Sequence, residues 1–139
     1  MDIDLLVKVA SRAWSLAILA RIAEGVPCRQ APLIAATGAG RTAFSASLSH
    51  LLDHGLLERN PGHGHPLRPE FRLTARGEEM AGVASRIVAL AGDRPEAPLI
   101  RRAWTVPILA VTARPRQFTE IRCCIPPITD RALSQSLRQ

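Results

Sequence analysis

The chain has 139 residues, 47% of them hydrophobic and 22% charged, a composition typical of a globular protein rather than a disordered one. No apolar run approaches the roughly 20 residues needed to span a bilayer, and the acidic start at Met1–Asp4 is unlike a secretion signal, so we expect a cytoplasmic protein with no membrane partner. The formal net charge of +6 favours a polyanionic partner.

The first part of the chain has the apolar spacing of three helices. Residues 3–24 carry a helical pattern that is interrupted near 11–13 and stops at Gly25-Val26-Pro27. A short helix follows over residues 30–37. A third helix is predicted over residues 41–54, with glycine directly after it.

A β-hairpin and a long helix complete this part. Strands are predicted at 56–59 and 70–73, on either side of a loop at 60–69 whose prolines and glycines exclude a helix. Thr74 is the expected N-cap of a helix over residues 75–91. The apolar stripe of that helix exceeds what one small module needs. We therefore expect it to pack against the same helix of a second subunit, which would give a homodimer, or against the incomplete second copy.

Three segments of the first part recur about ninety residues later in the same order, which indicates one structural unit used twice. Residues 12–20 return as 102–110, 29–34 as 116–121, and 43–48 as 132–137.

The second copy is predicted to contain three helices. Thr105 is the expected N-cap of the first, with Pro107 in its first turn. The second helix spans about 117–124. Thr129 caps the last, which runs to about residue 138.

This copy has no hairpin, and Leu137 is expected inside its core. We therefore expect a longer parent chain or a neighbouring subunit to cover its apolar residues, which are Ile121, Ile125, Ile128, Leu133 and Leu137.

These elements predict a mainly α fold with a small β-hairpin, in which a winged helix-turn-helix is followed by a second, wingless three-helix copy. The predicted domains are a winged module with a C-terminal dimerisation helix at 1–92, a linker at 93–98 and a partial second module at 99–139.

Four segments resemble the HxlR-type winged-helix regulators, relatives of the MarR-like regulators: Arg-Ala-Trp-Ser (12–15), Gly-Leu-Leu-Glu-Arg (55–59), Pro-Glu-Phe-Arg-Leu-Thr-Ala-Arg-Gly (69–77) and Ala-Leu-Ser-Gln-Ser-Leu (132–137). The resemblance implies a bacterial DNA-binding transcriptional regulator that forms a homodimer on a palindromic operator. Family members usually have one module per chain. Some sense oxidants through a cysteine ahead of the first tryptophan helix, and none lies between Met1 and Arg12 here.

In a helix-turn-helix the last helix enters the major groove of DNA. The predicted contacts come from helices 41–54 and 129–138 and from the 60–69 wing. They are Arg41, Thr42, Ser45, Ser49 and His50 on the first helix, Arg131, Ser134, Gln135 and Arg138 on the second, and Arg68 on the wing. We expect the second helix to be the better reader, that is, to discriminate better between base pairs. Arginine can bind guanine, and glutamine can bind adenine, through two hydrogen bonds each.

Alternatives stay open beside a simple regulator. His50, His54, His63 and His65 could form a metal-responsive variant with the cysteines, although no zinc-site spacing is present. Cys123-Cys124 could form a redox switch, although reduced, buried cysteines are the simpler expectation. A degenerate helix-turn-helix could instead serve as an interaction module.

No enzyme motif is present, and no cofactor is expected. A small-molecule effector remains open as a partner. The two tryptophans are expected to be core anchors. Lys8 is the only lysine, and this arginine bias fits phosphate recognition or, more simply, a GC-rich genome.

Overall fold

A computed structural model describes residues 2–60 and 70–139. Within them the chain forms eight α-helices and one two-stranded antiparallel hairpin, which confirms the predicted fold class. In chain order the elements are α1 (Ile3–Ala10), α2 (Ser15–Ala23), α3 (Gln30–Thr37), α4 (Arg41–Asp53), β1 (Leu57–Asn60), β2 (Glu70–Leu73), α5 (Ala75–Ala91), a 3₁₀ turn (Ala97–Arg101), α6 (Thr105–Val111), α7 (Phe118–Cys124) and α8 (Asp130–Leu137). The remainder of the predicted wing loop lies outside the described residues.

Contacts within the chain divide it into two compact units. The central unit is Trp14–Ala97. The terminal unit combines Met1–Ala13 with Pro98–Gln139, so that it contains α1 together with the second copy of the repeat. The domain division inferred from the sequence stays a prediction.

The helix boundaries follow local capping rules. The Thr74 hydroxyl accepts a hydrogen bond from the Gly77 N–H, and the Thr129 hydroxyl accepts one from the Ala132 N–H, each at 3.1 Å. The expected cap at Thr105 is wrong, because α6 begins at that residue and Trp104 occupies the N-cap position without a side-chain hydrogen bond. Pro107 nevertheless lies in the first turn as predicted, where a missing N–H costs little.

The core of the central unit forms around α2, which packs along α5. Leu19, Phe44 and Leu51 are fully buried there. The hairpin pairs Leu57 with Leu73 and is joined to the α2–α3 connection by the Phe71 N–H, which donates to the Cys28 carbonyl at 2.9 Å.

The end of α4 and the start of α5 approach each other at backbone distance. The Thr74 N–H donates to the Leu56 carbonyl at 3.1 Å, and the Thr74 hydroxyl donates to the Gly55 carbonyl at 2.6 Å. A Cβ at Gly77 would overlap the Leu56 carbonyl oxygen. Glycine is therefore required at position 77 by lack of space and not by its backbone angles.

The core of the terminal unit includes a residue from the start of the chain. Val7 of α1 is buried in one cluster with Ile108, Ile121, Ile125, Ile128 and Leu133, and Ile3 packs against it. The first helix of the same chain thus provides part of the cover that the second copy lacks.

Leu137 departs from its prediction. It was expected inside the core but is 48% exposed, whereas Leu133, one turn earlier, is fully buried. The equivalent residue of the first copy, Leu48, is buried on α4, which contacts β1. Within residues 2–60 and 70–139, α8 is not packed against a strand, and Leu137 is uncovered.

Replacing Gly77 by alanine is expected to destabilise the protein by about 1–3 kcal/mol or more, because the new methyl group meets backbone atoms that cannot move aside cheaply. Gly82→Ala is the matched control in the same helix. It has no atom within 4 Å of the new Cβ and should stabilise by about 0.5–1 kcal/mol. Urea unfolding gives the free energy of unfolding of both variants. Equal changes in the two would contradict the close approach of Gly77 to the Leu56 carbonyl.

Candidate nucleic-acid interface

The turn before α4 sets the direction of that helix. Gly38 adopts a left-handed conformation, with φ of 74°, and ends α3. The Thr37 hydroxyl donates to the Leu33 carbonyl at 2.8 Å, which secures the last turn. The chain then re-enters a helix at Arg41 after an extended Gly40.

One face of α4 is polar and exposed. Thr42 and Ser49 lie on it, as the apolar spacing predicted, and Arg41 and Ser45 are exposed beside them. His50 is half-buried, with its ring centroid 4.3 Å from that of His54 in a T-shaped pair. The surface carries small hydroxyl side chains between one arginine at its N-terminal end and the carboxylate of Asp53 at its C-terminal end.

Ser47 is a structural residue that the sequence analysis missed. It is 2% exposed, and its hydroxyl accepts a hydrogen bond from the Trp14 N–H at 3.2 Å, joining α4 to the start of α2. The sequence did indicate that Ser47 would be buried, since it lies three residues after Phe44 and four before Leu51. That spacing places it on the inner face of α4.

The last helix also turns a polar face outward. Arg131, Gln135 and Arg138 are exposed at a spacing of four and three residues, which puts them on one side, and Ser134 is half-buried. Asp130, at the start of α8, pairs with the Arg122 guanidinium of α7 at 3.1 Å.

The hairpin holds two of its arginines in place. Arg72 forms an ion pair with Glu58 on the neighbouring strand, and the Arg59 guanidinium lies 5.8 Å from the centroid of the Phe71 ring. Arg68, the predicted wing contact, lies outside the described residues.

The cysteines occupy different environments. Burial, together with the negative charge of Glu70, raises the pKa of the Cys28 thiol from 9.0 to about 11, although a hydrogen bond from the Phe71 backbone acts in the opposite direction. Cys123 is exposed. Cys124 is half-buried, and its sulfur accepts a hydrogen bond from Arg116 Nη1 at 3.2 Å.

No group of three His, Cys, Asp or Glu side chains in residues 2–60 and 70–139 could hold a metal ion. His63 and His65, which the metal hypothesis used, fall outside these ranges. No helix in the same ranges is long and apolar enough to cross a membrane.

In the central unit, α2 and α3 are followed by α4 with its exposed polar face, then by the antiparallel hairpin and by α5. This arrangement defines a winged helix-turn-helix protein. The sequence model of the HxlR-like helix-turn-helix family matches residues 9–96, more than half of the chain, and the chain belongs to that family. The resemblance seen in the sequence is confirmed. Searches of curated proteins and of solved structures gave no match.

Membership implies a DNA-binding transcriptional regulator, and the family is one of regulators and not of enzymes. The matched residues contain α2, α3, α4, the hairpin and α5, which together form most of the central unit. The second copy lies beyond the match.

Alkylation tests the environment of Cys28. In a Cys123→Ser/Cys124→Ser variant, we expect Cys28 in the folded chain to react at pH 8 about a hundredfold more slowly than in the urea-unfolded chain, because a pKa near 11 leaves that much less thiolate. The folded state holds this proton more tightly than the unfolded state, so the unfolding free energy should fall as pH rises above 9. Equal alkylation rates in the folded and unfolded chain would contradict the raised pKa of Cys28.

Proposed function

We propose that the chain regulates transcription by placing α4 in the major groove of duplex DNA. The exposed polar face of α4 in the family-matched part carries this proposal, since a helix-turn-helix reads base edges with the outward side of that helix. The 60–69 wing, with Arg68, would bind the backbone or the minor groove.

The α4 face is suited mainly to positioning. Arg41 and His50 can contact phosphates and one or two bases, and the hydroxyls of Thr42, Ser45 and Ser49 can donate to phosphate oxygens. Apart from Arg41 at its N-terminal end, the α4 face has no side chain that can form the bidentate base contact that gives strong discrimination.

The α8 face is proposed as the second reader. Arg131 can bind guanine and Gln135 adenine, each good pair contributing roughly 1–3 kcal/mol of discrimination. Ser134 and Arg138 flank them and would contact the backbone. The exposure of the two readers supports this role.

We further propose a homodimer in the cytoplasm. The outer side of α5 leaves Val83 and Ile87 half-buried and Leu90 76% exposed, whereas Met80 and Ala84 are buried. An apolar stripe at this spacing is suited to pack on the same helix of a second chain.

A redox-responsive form of this regulator is the second candidate. The contact between Arg116 and Cys124 favours it, because the Arg116 guanidinium donates a hydrogen bond to the Cys124 sulfur at 3.2 Å and so lies beside that thiol. Cys124 also packs against the core cluster that includes Leu133 of α8, so a change at its sulfur would reach the proposed reading helix.

DNA binding is tested by selecting bound sequences from a random duplex pool and measuring affinity by fluorescence anisotropy. Ser45→Glu should weaken binding at least tenfold, because the carboxylate would face phosphates. Ala23→Glu, an exposed change of equal charge on α2, should have little effect. Gln135→Ala should relax selection at one base pair by about 5- to 150-fold. A wild-type chain that binds no duplex at low salt would refute the proposal.

Dimerisation is tested by sedimentation velocity. Leu90→Asp should shift the chain towards monomer, since a carboxylate would enter the apolar contact. Leu109→Asp makes the same change at an exposed leucine of the terminal unit and should leave the equilibrium unchanged. The proposed interface would be wrong if the wild-type chain were monomeric at tens of micromolar, or if both variants shifted equally.

A further inference from the structure

The positive charge of the chain is concentrated in the terminal unit. That unit contains nine Arg and Lys residues against four Asp and Glu, a net charge of +5, whereas the central unit contains nine against eight, a net charge of +1. Nearly all of the +6 therefore lies in the unit that contains the second copy, and residues 97–139 fall outside the family match.

Two arginines of the central unit are paired with a neighbouring carboxylate. Arg21 pairs with Glu24 at 2.7 Å, and Arg72 pairs with Glu58. The α4 face has a single arginine, Arg41, and ends in the carboxylate of Asp53. This unit has little surplus charge for sequence-independent binding to a polyanion.

The terminal unit contains exposed arginines that have no ion pair in the part of the chain that the structure describes. Arg122 is offset by Asp130, and Arg116 contacts Cys124. In contrast, Arg114, Arg131 and Arg138 are exposed and form no ion pair within the described residues. Two of these three lie on the α8 face, one on either side of Gln135.

We infer that the terminal unit is the phosphate-binding anchor of the protein, supplying most of its sequence-independent affinity for duplex DNA. This inference rests on the proposed function and adds that the two units contribute unequally to sequence-independent DNA affinity. Each phosphate neutralised by a cation releases condensed counterions, so binding weakens with salt by about 0.9 logarithmic units per contact. A unit of net charge +5 makes more such contacts than one of +1.

The partner that fits this surface is duplex DNA rather than another polyanion, because the surplus charge flanks a helix that repeats the last helix of a helix-turn-helix. Leu133 is equivalent to Phe44 in the repeat, and both are fully buried, so the same side of each helix faces inward. The outward side of α8 then corresponds to the groove-facing side of α4.

The test compares two triple variants of the full chain with equal charge changes. One is Arg114→Gln/Arg131→Gln/Arg138→Gln in the terminal unit. The other is Arg76→Gln/Arg86→Gln/Arg94→Gln, three exposed arginines of the central unit. Affinity for a random-sequence duplex is measured by anisotropy between about 50 and 200 mM salt, after circular dichroism has confirmed folding.

The terminal variant should lower the slope of log affinity against log salt by about 2.7, which is 0.9 for each of three lost contacts. The central variant should lower it by less than about 1. Lysine at the same three terminal positions should restore the slope, because the charge returns without the guanidinium shape.

Equal slope changes in the two variants would overturn the anchor while leaving the proposed function intact, as would a lysine variant that behaves like the glutamine one. A wild-type chain that binds single-stranded RNA or anionic vesicles with this salt slope, but no duplex, would overturn both the anchor and the proposed function.

Discussion

The contact between the backbone at Gly77 and the carbonyl of Leu56 constrains the whole central unit. It holds the start of α5 against the segment after α4 so closely that no side chain fits between them. At the same junction the Thr74 hydroxyl donates a hydrogen bond to the Gly55 carbonyl. The hairpin leaves and returns at this point, so both of its ends are anchored. With α5 held along α2, the inner face of α4 is covered and its polar face remains in solvent.

The two copies of the repeat reach different packing from similar sequences. Ile18 and Ile108 are both buried, but Leu19 is fully buried while its equivalent, Leu109, is 62% exposed. The cause is the different set of elements around each copy. In the part of the chain that the structure describes, the first copy packs with the hairpin and α5, whereas the second packs with α1.

This difference bears on how the molecule meets DNA. The family match accounts for the fold of the central unit and for its class as a regulator. The proposed anchoring role belongs to the terminal unit, which has a net charge of +5. This unit contains α8, whose outward side carries Arg131 and Gln135. The stronger base contacts and most of the electrostatic affinity would then both reside in the terminal unit, a distribution that a single-module family member could not have.

The sequence by itself determined the helices, the hairpin, the caps at Thr74 and Thr129 and the polar face of α4, because spacing and capping act over three or four residues. Tertiary structure alone decided that Ser47 is buried, that Leu137 is exposed and that α1 completes the core of the second copy. Each of these depends on which distant segment covers a given surface, and local periodicity holds no information about such contacts.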